Sequence, residues 1–480
     1  MKYIKVIQIF VVTICCLSCQ EWLDISPETQ VKSEDLLLDE EGCFNAVSGI
    51  FNNMSSTSLY GTQLTMSFTD ILGQYYAFDD ADAQSDISNH KFELESTKSI
   101  IDGIWSDGYN VIANCNNLIE NIDKLDEGAL NENVKMFVKA QALGARGLMH
   151  FDLVRLFHLP YAMNKDFVAI PYVVKLEDVT SPQLSTQQVI NKVLEDLLAA
   201  HAYLQKSDPL QEGNSQDGFD RLYDSRVYLN YYSVSALLAR VYLYMGDHLN
   251  ALKYAQMVLG KYSFVDQSQI SSNNDYLFEN EVIFGLYKER IHEITRKGIF
   301  SLTHSNLQGY TPAKLEALLY ANADIRLKYW IEKVEENGGV EYSVVKKYWR
   351  SNEDNNSDDE DSNIKTLKNI PLIKYGEVVL IAAEAIAIES SVSEGVAILN
   401  QLRKGRGLED IVIENLDQFM DEIMVEYRRE FYGEGQTFYM HKRFMSSTID
   451  FRGSEVELNE SNYYLPIPDD EVLYGGRKKN

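Results

Sequence analysis

The chain has 480 residues, an apolar fraction of 45% and a formal net charge of -28. A sizeable hydrophobic core is therefore available, either in two or three domains or in one large helical domain. The acidic excess argues against a nucleic-acid ligand and against docking on anionic lipid, because phosphates would be repelled, whereas a neutral ligand is compatible with it.

The N-terminal residues have the pattern of an export signal. Two lysines precede an almost continuous apolar run over residues 6–17, which is too short to span a bilayer. The run ends in Cys-Leu-Ser-Cys over residues 16–19, and a small residue before a cysteine at this point resembles a bacterial lipobox. We therefore expect a signal peptide over residues 1–18 and a lipid anchor on Cys19. Leu17 stands one position closer to the cysteine than in the usual lipobox, so a plain cleaved signal is the alternative.

The remainder of the chain is patterned mainly as helix. Residues 19–40 are polar and predict an extended tether. Apolar residues then recur at helical spacing, most strongly over residues 134–157. Ser185 and Thr186 predict the N-cap of a helix that continues to Leu204. Strand signals are few and short, and no later apolar run has the length of a membrane span.

The clearest local pattern is a helical hairpin formed by residues 236–244 and 251–259. Gly246 provides the turn, and the small side chains of Ala239 and Ala251 allow two antiparallel helices to approach closely. The pattern resembles a tetratricopeptide repeat, whose units stack because one repeat cannot bury its own apolar faces. Looser matches pair residues 378–388 with 395–403 and residues 102–123 with 133–157.

Two regions interrupt the helical pattern, residues 60–101 and 262–370, and both are rich in Asn, Asp, Ser and Tyr. We therefore predict a mostly α fold, with a tetratricopeptide-like helical-hairpin scaffold and long irregular insertions. Long insertions on a rigid scaffold often carry binding surfaces. The predicted division is a single domain over 41–480, with helical repeats at 41–59, 102–260 and 371–445.

Catalytic and metal-binding motifs are missing from the sequence. It contains no zinc-protease, nucleophile-elbow, phosphate-loop or dinucleotide-loop pattern. Residues 80–86 and 352–358 resemble calcium loops in their acidic spacing but lack the central glycine and the final glutamate, so we interpret them as solvated acidic loops. We expect no cofactor, no metal and no enzyme activity, and no bridge between Cys43 and Cys115.

Taken together, the lipobox, the hairpins and the C-terminal region resemble the SusD/RagB family. The most specific match is residues 370–377 leading into 383–385. The chain departs from the family pattern at His158-Leu159, Gln183, Gln436-Thr437 and Tyr439-Met440, which indicates a divergent member. The segments that carry the resemblance are residues 19–24, 142–157, 160, 170–172, 239–243, 370–377, 383–385, 399–403, 426, 428–431, 434–435, 443 and 464–468.

This resemblance implies a fold and a function. Members of the family are lipoproteins on the surface of Gram-negative bacteria that cap a SusC-like, TonB-dependent outer-membrane transporter and help it to import glycans, or in some cases peptides. The implied protein is non-catalytic, with its helical repeats facing the barrel and its ligand on the irregular lobe. The partners would be the transporter, a glycan and the outer membrane.

Candidate ligand residues follow from the chemistry of sugar binding. Aromatic faces pack on pyranose rings, and amide or carboxylate groups bind the hydroxyls. Tyr75, Tyr76 and Tyr310 rank highest because no helical face accounts for them, whereas Trp105 is also expected as a core residue. The full predicted set is Gln74, Tyr75, Tyr76, Phe78, Asp80, Asn89, Trp105, Tyr310 and Trp330.

Five charged residues that match the family are interpreted differently. Arg146, Glu384, Arg403, Arg428 and Glu430 lie on predicted helices, and we expect structural ion pairs from them. Three alternatives to a glycan-binding import lipoprotein remain open. They are the same scaffold binding a peptide or another nutrient, a purely structural or protein-docking repeat module, and a surface glycosidase with two facing carboxylates.

Overall fold

Helices build the hydrophobic core of the protein. The computed structural model describes residue 37 and residues 39–480 apart from 77–82, 126–127, 129, 176–179, 220–221, 223, 274, 292, 300–322, 337–339, 349–367 and 451–454. The α-helices within this part are α1 (Glu40–Met54), α2 (Phe68–Leu72), α3 (Ala83–Ser88), α4 (Glu95–Ile122), α5 (Glu132–Phe157), α6 (Thr186–Ser207), α7 (Tyr231–Met245), α8 (His248–Val258), α9 (Gln267–Asn273), α10 (Ile325–Trp330), α11 (Tyr375–Glu389), α12 (Val392–Gly405), α13 (Leu416–Glu430), α14 (Thr437–Arg443) and α15 (Asp469–Leu473). The mostly α fold predicted from the sequence is confirmed.

The strands form antiparallel pairs and no larger sheet within the described residues. The pairs are β1 (Val168–Pro171) with β2 (Gln183–Ser185), β3 (Val282–Tyr287) with β6 (Asn369–Lys374), β4 (Ile331–Glu336) with β5 (Val340–Val345), and β7 (Thr448–Asp450) with β8 (Glu455–Glu457). Short 3₁₀ turns at Ser225–Val227 and Glu279–Glu281 and a π-helical turn at Glu293–Ile299 complete the elements.

The three predicted helical hairpins are present as α7 with α8, α11 with α12, and α4 with α5. In the first, Asn230 caps α7 by accepting from the Ser233 N–H. Gly246 ends that helix at φ 76°, a left-handed conformation that glycine adopts without a Cβ penalty. Asp247 then caps α8 by accepting from the Asn250 N–H. Both hairpin ends therefore follow from local capping chemistry.

Two helices lie in the centre of the core and are buried on every side. In α5 each residue from 140 to 157 is buried, and in α11 each residue from 375 to 385 is buried. A helix without a polar face belongs inside a protein. The neighbouring helix α6 has its N-cap at Ser185, as predicted, and the structure adds a capping box between Ser185 and Gln188.

The region predicted to be irregular over 262–370 contains a core element. All of β3 except Tyr287 is buried, and so is all of β6, with which it pairs. The sequence analysis missed this pair because its strands are separated by 81 residues and carry only short apolar runs. Cys43 and Cys115 are both buried free thiols. Among the described helices, none has the length and apolarity of a membrane span.

Candidate functional site

The predicted ligand residues next to α2 lie inside the protein. The side chains of Tyr75 and Tyr76 are 0% and 1% exposed. The Tyr75 hydroxyl donates to the main-chain oxygen of Arg428, and the Tyr76 hydroxyl donates to that of Met66 at 3.0 Å. Both rings pack against Tyr432, with ring centroids 5.0 and 6.2 Å apart. This corrects their prediction as a stacking surface, since neither ring presents a face to solvent.

Gln74 bonds to Ser88 and so connects the two ends of the segment that contains the predicted loop residues. Its side-chain amide donates to the Ser88 main-chain oxygen at 2.6 Å and accepts from the Ser88 hydroxyl at 3.1 Å. Gln74 is 0% exposed, so its amide is committed to this pair and not to a ligand, which again differs from the prediction. Asn89 is exposed, as a ligand contact requires, and donates to Ser85 Oγ. Phe78 and Asp80 lie outside the described residues.

The two predicted tryptophans are also buried, at 4% exposure for Trp105 and 1% for Trp330. Trp105 packs on Tyr109 and Phe157, with centroids 4.8 and 5.0 Å away, which is the core position given as its alternative. Trp330 lies beneath Lys347, whose Nζ is 3.6 Å from the centre of the indole ring. Neither indole is available to a sugar in this structure, and Tyr310 lies outside the described residues.

Residues 426–437, which we call the junction, connect the end of α13 to the start of α14. Asp70 on α2 is fully buried against the junction. Its carboxylate accepts from the Gly433 N–H at 2.7 Å and from the Gly435 N–H at 2.9 Å. Burial raises the pKa of Asp70 well above its usual value, although the two N–H donors act in the opposite direction. Gly435, at φ 76°, would place a Cβ 2.3 Å from Leu64 O, so only glycine fits there.

A second contact connects the junction to the end of β5. Glu434 accepts from Lys347 Nζ at 2.8 Å and from Lys374 Nζ at 3.2 Å, and all three side chains are buried. Burial lowers the pKa of Lys347 to about 8, which the nearby Glu434 carboxylate partly offsets. The hydroxyl of Tyr348 donates to Gly433 O at 2.7 Å. Tyr348 therefore connects the residues after β5 to the junction.

A buried ion network connects the junction to α10. Arg326 donates to Glu426 at 2.9 Å and to Glu430 at 2.8 Å, and Arg406 donates to Glu430 and Glu281. The burial of Arg406 disfavours its charge, but the Glu281 and Glu430 carboxylates outweigh burial and raise its pKa. Arg326 also pairs with Asp324 at 2.8 Å, so it meets three carboxylates and Arg406 meets two, and the buried charges compensate one another.

These contacts bring together described residues that flank three predicted loop regions. Tyr75 and Tyr76 precede residues 77–82, Arg326 follows residues 300–322, and Tyr348 precedes residues 349–367. Each of these described residues contacts the junction or the network attached to it. The described residues next to these segments are therefore connected to one another through the junction.

Most of the predicted structural ion pairs are confirmed. Arg146 forms a buried bidentate pair with Asp196 at 2.6 and 2.7 Å. Glu384 pairs with Arg443 at 2.7 Å, Arg403 with Glu422 at 2.9 Å, and Glu430 with the two arginines of the network. The main-chain oxygen of Arg428 accepts from Tyr75.

Sequence analysis missed Asp70, Arg326, Lys347 and Arg406. Each is a single charge in a region predicted to be irregular or at a helix end, and no local spacing separates it from the many solvated charges of this chain. Among the residues that the structure describes, no group of histidine, cysteine or carboxylate side chains could bind a metal ion.

Comparison with known proteins gives consistent similarities over most of the chain. A model of the SusD family matches residues 328–471, and a model described as "Starch-binding associating with outer membrane" matches residues 21–216. The chain is 25% identical to SusD-like protein P2 of Formosa agariphila, with 89% of each chain covered. It is 22% identical to SusD-like protein P25 of the same organism, covering 60% of this chain and 52% of the relative.

Solved structures share the fold. A SusD superfamily protein from Bacteroides thetaiotaomicron superposes with a TM-score of 0.72 at 23% identity, covering 92% of this chain and 99% of that one. A protein from Bacteroides vulgatus described as a putative sugar binding protein has a TM-score of 0.72 at 22% identity, with coverage of 93% and 99%.

Proposed function

Because the chain belongs to the SusD/RagB family, we propose that it is a non-catalytic, lipid-anchored protein of the outer-membrane surface that binds a glycan and delivers it to a SusC-like, TonB-dependent transporter. The observation that carries the proposal is the match of both parts of the chain to the family, one of them to a model described as starch-binding. The neighbour described as sugar-binding supports it.

The proposed ligand surface is formed by the exposed Asn89 and by Phe78, Asp80 and Tyr310. The last three stay predictions from the sequence, since an aromatic face and a carboxylate are the groups that a sugar ring and its hydroxyls require. Tyr75, Tyr76 and Trp330 are reassigned in this proposal to the support beneath that surface. Their buried hydroxyl and ring contacts attach the neighbouring segments to the core.

The glycan proposal is tested with the soluble form that begins at Gln20, by affinity gel electrophoresis against a panel of neutral and acidic polysaccharides. We expect at least one neutral polysaccharide to retard the native protein and a Phe78→Ala/Tyr310→Ala double variant to lose most of this retardation. The matched control is Tyr474→Ala, at an aromatic side chain that is 85% exposed and outside the predicted set. A native protein that no polysaccharide retards, but that peptide mixtures bind, would replace the glycan by a peptide.

The lipid anchor has an independent test. Cells that express the full-length chain are grown with an alkyne-labelled fatty acid, and the protein is examined for label and for its membrane fraction. We expect label on the native chain and none on a Cys19→Ser variant, because acylation at that thiol is the proposed means of attachment. Equal labelling of both chains would contradict the assignment of Cys19.

Delivery to a transporter is tested in outer membranes solubilised in mild detergent. We expect a TonB-dependent transporter to copurify with the native chain in near-equal amount, as measured by mass spectrometry. A native chain that purifies alone under conditions that keep other outer-membrane complexes intact would contradict this part of the proposal.

A further inference from the structure

A cleft of about 510 Å³ lies between the start of α4 and the C-terminal segment over residues 461–480. This volume is within the roughly 300–1,000 Å³ typical of small-molecule sites. Of the predicted ligand residues that the structure describes, none lines it, although Asn89 adjoins the lining residue His90.

The walls of the cleft are fixed by contacts between distant parts of the chain. Lys98 on α4 donates to Asp469 at 2.7 Å and so connects the two sides. The side-chain amide of Asn480 donates to Phe157 O at 2.9 Å and to Leu465 O at 2.8 Å. A cleft whose walls are already positioned requires little ordering when a ligand enters.

The floor of the cleft is apolar and partly aromatic. Ile101 and Phe92 are buried at 1% and 5% exposure, and Phe92 stacks on His90 at a centroid distance of 5.6 Å. Tyr464 is partly exposed and is supported from behind by Phe167, whose ring centroid is 4.9 Å away. A supported aromatic ring next to an apolar floor suits the C–H face of a sugar ring.

The rim provides hydrogen-bond groups that the protein itself does not use. Within the described part of the chain, the carboxylates of Glu93 and Asp102 and the hydroxyl of Tyr464 form no hydrogen bond. Burial raises the pKa of Asp102, and the neighbouring carboxylates of Asp470 and Asp469 raise it further. The two lysines of the rim, Lys98 and Lys479, both pair with Asp469, so the carboxylates of Glu93 and Asp102 favour a neutral ligand with hydroxyl donors.

We propose that this cleft is a second saccharide-binding site, for a short neutral oligosaccharide whose hydroxyls donate to Asp102 and Glu93 and one of whose rings packs on Tyr464. The inference rests on the proposed function, since it assigns a further site to the same class of ligand. We expect uronic acids and sulfated sugars to bind less well there, because their negative charge would lie next to the carboxylates of Asp102 and Glu93.

The test is isothermal titration of the soluble form beginning at Gln20 with maltohexaose, cellohexaose, laminarihexaose and xylohexaose, and with hexagalacturonate as the acidic probe. Four variants are compared with the native chain: Asp102→Ala/Tyr464→Ala in the cleft, the cleft-filling Ser461→Trp, Phe78→Ala/Tyr310→Ala at the proposed surface, and Asp421→Ala as control. Asp421 is a matched control because its carboxylate is exposed on α13 and does not line the cleft. Thermal melting verifies that each variant is folded.

We expect the titration with a neutral hexasaccharide to show a binding event whose affinity both cleft variants reduce at least about tenfold. A reduction of this size is expected when a hydrogen bond to a charged group is lost. This binding event should persist in Phe78→Ala/Tyr310→Ala and in Asp421→Ala. Unchanged titrations in both cleft variants would overturn the second site while leaving the proposed function intact. Binding of hexagalacturonate that depends on the cleft would overturn its assignment to neutral sugars. If no neutral hexasaccharide binds the native chain, the cleft proposal fails, and the independent polysaccharide gel then decides whether the proposed function fails with it.

Discussion

Single buried charged side chains hold much of the main chain around the junction in place. Asp70 is the clearest case, because its carboxylate satisfies two main-chain N–H groups in the turn between α13 and α14. Without it, both donors would be buried and unpaired. A buried group left without its partner costs more than the bond itself contributes.

We therefore predict that Asp70→Ala lowers the free energy of unfolding by about 2–4 kcal/mol. Urea unfolding monitored by circular dichroism measures this change. The control is Asp421→Ala, at an exposed carboxylate on α13, which should change stability by less than about 0.5 kcal/mol. Equal effects of the two substitutions would mean that the Asp70 contacts contribute little.

Two buried histidines predict a dependence of stability on pH. Nε2 of His158 accepts from the Ile170 N–H at 3.0 Å, and Nε2 of His150 accepts from the Val173 N–H at 3.1 Å, so both rings are neutral. Burial lowers the pKa of each ring from 6.5 to about 3. Between about pH 3 and pH 6.5 the unfolded chain binds more protons than the folded chain, because these two histidines are protonated only when the chain is unfolded. Stability therefore falls as the pH falls through this window.

Each ring should contribute up to about 1.4 kcal/mol of lost stability per pH unit below 6.5. We predict that His158→Gln is less stable than the native chain at pH 7 and that its stability falls less steeply on acidification. Urea unfolding at several pH values between about 4 and 7 measures both quantities. His248→Gln, at a partly exposed ring, is the control. Parallel pH profiles for native and His158→Gln proteins would contradict the role of this ring.

At the level of elements, the helical hairpins could be predicted and the strands could not. Gly246 and the small residues Ala239 and Ala251 are local signals, and caps and turns act within a few residues of the chain. The pairing of β3 with β6 joins residues 282–287 to 369–374, and nothing within either segment specifies the other. The pairing of these two short and distant apolar runs could therefore be found only from the structure.

A pair of glycines tests the packing of the hairpins. In α12 a Cβ on Gly395 would lie 2.5 Å from Ala387 Cβ and 2.7 Å from Ala383 O, so the helices are already in contact there. In α1 a Cβ on Gly49 would meet nothing within 4 Å. The same substitution should therefore have opposite effects at the two positions.

We predict that Gly395→Ala destabilises the protein by about 1–3 kcal/mol through overpacking. Gly49→Ala should stabilise it by about 0.5–1 kcal/mol, because alanine loses less backbone entropy than glycine in a helix. Chemical unfolding of the two variants side by side measures the difference. A stabilised Gly395→Ala protein would show that α11 and α12 have room to separate.

At the scale of the whole molecule, the family and the helical scaffold could be predicted, whereas the burial of individual aromatics could not. Tyr75 and Tyr76 are polar aromatics in a segment without helical spacing, which suits either an exposed platform or a packed support. Their burial results from Tyr432, more than 350 residues away, and from the main chain of Arg428. Only the three-dimensional structure brings these partners together.

We propose that the glycan binds to the segments whose flanking residues contact the junction. Hydrogen–deuterium exchange of the native soluble form, with and without oligosaccharides of a glycan that retards it in gels, tests this most directly. We predict slower exchange in residues 77–82 and 300–322 when the glycan is bound, with residues 461–468 responding separately if the cleft is filled. No change in those three segments, with slower exchange confined to the α7–α8 hairpin, would contradict the account and move the ligand to the helical scaffold.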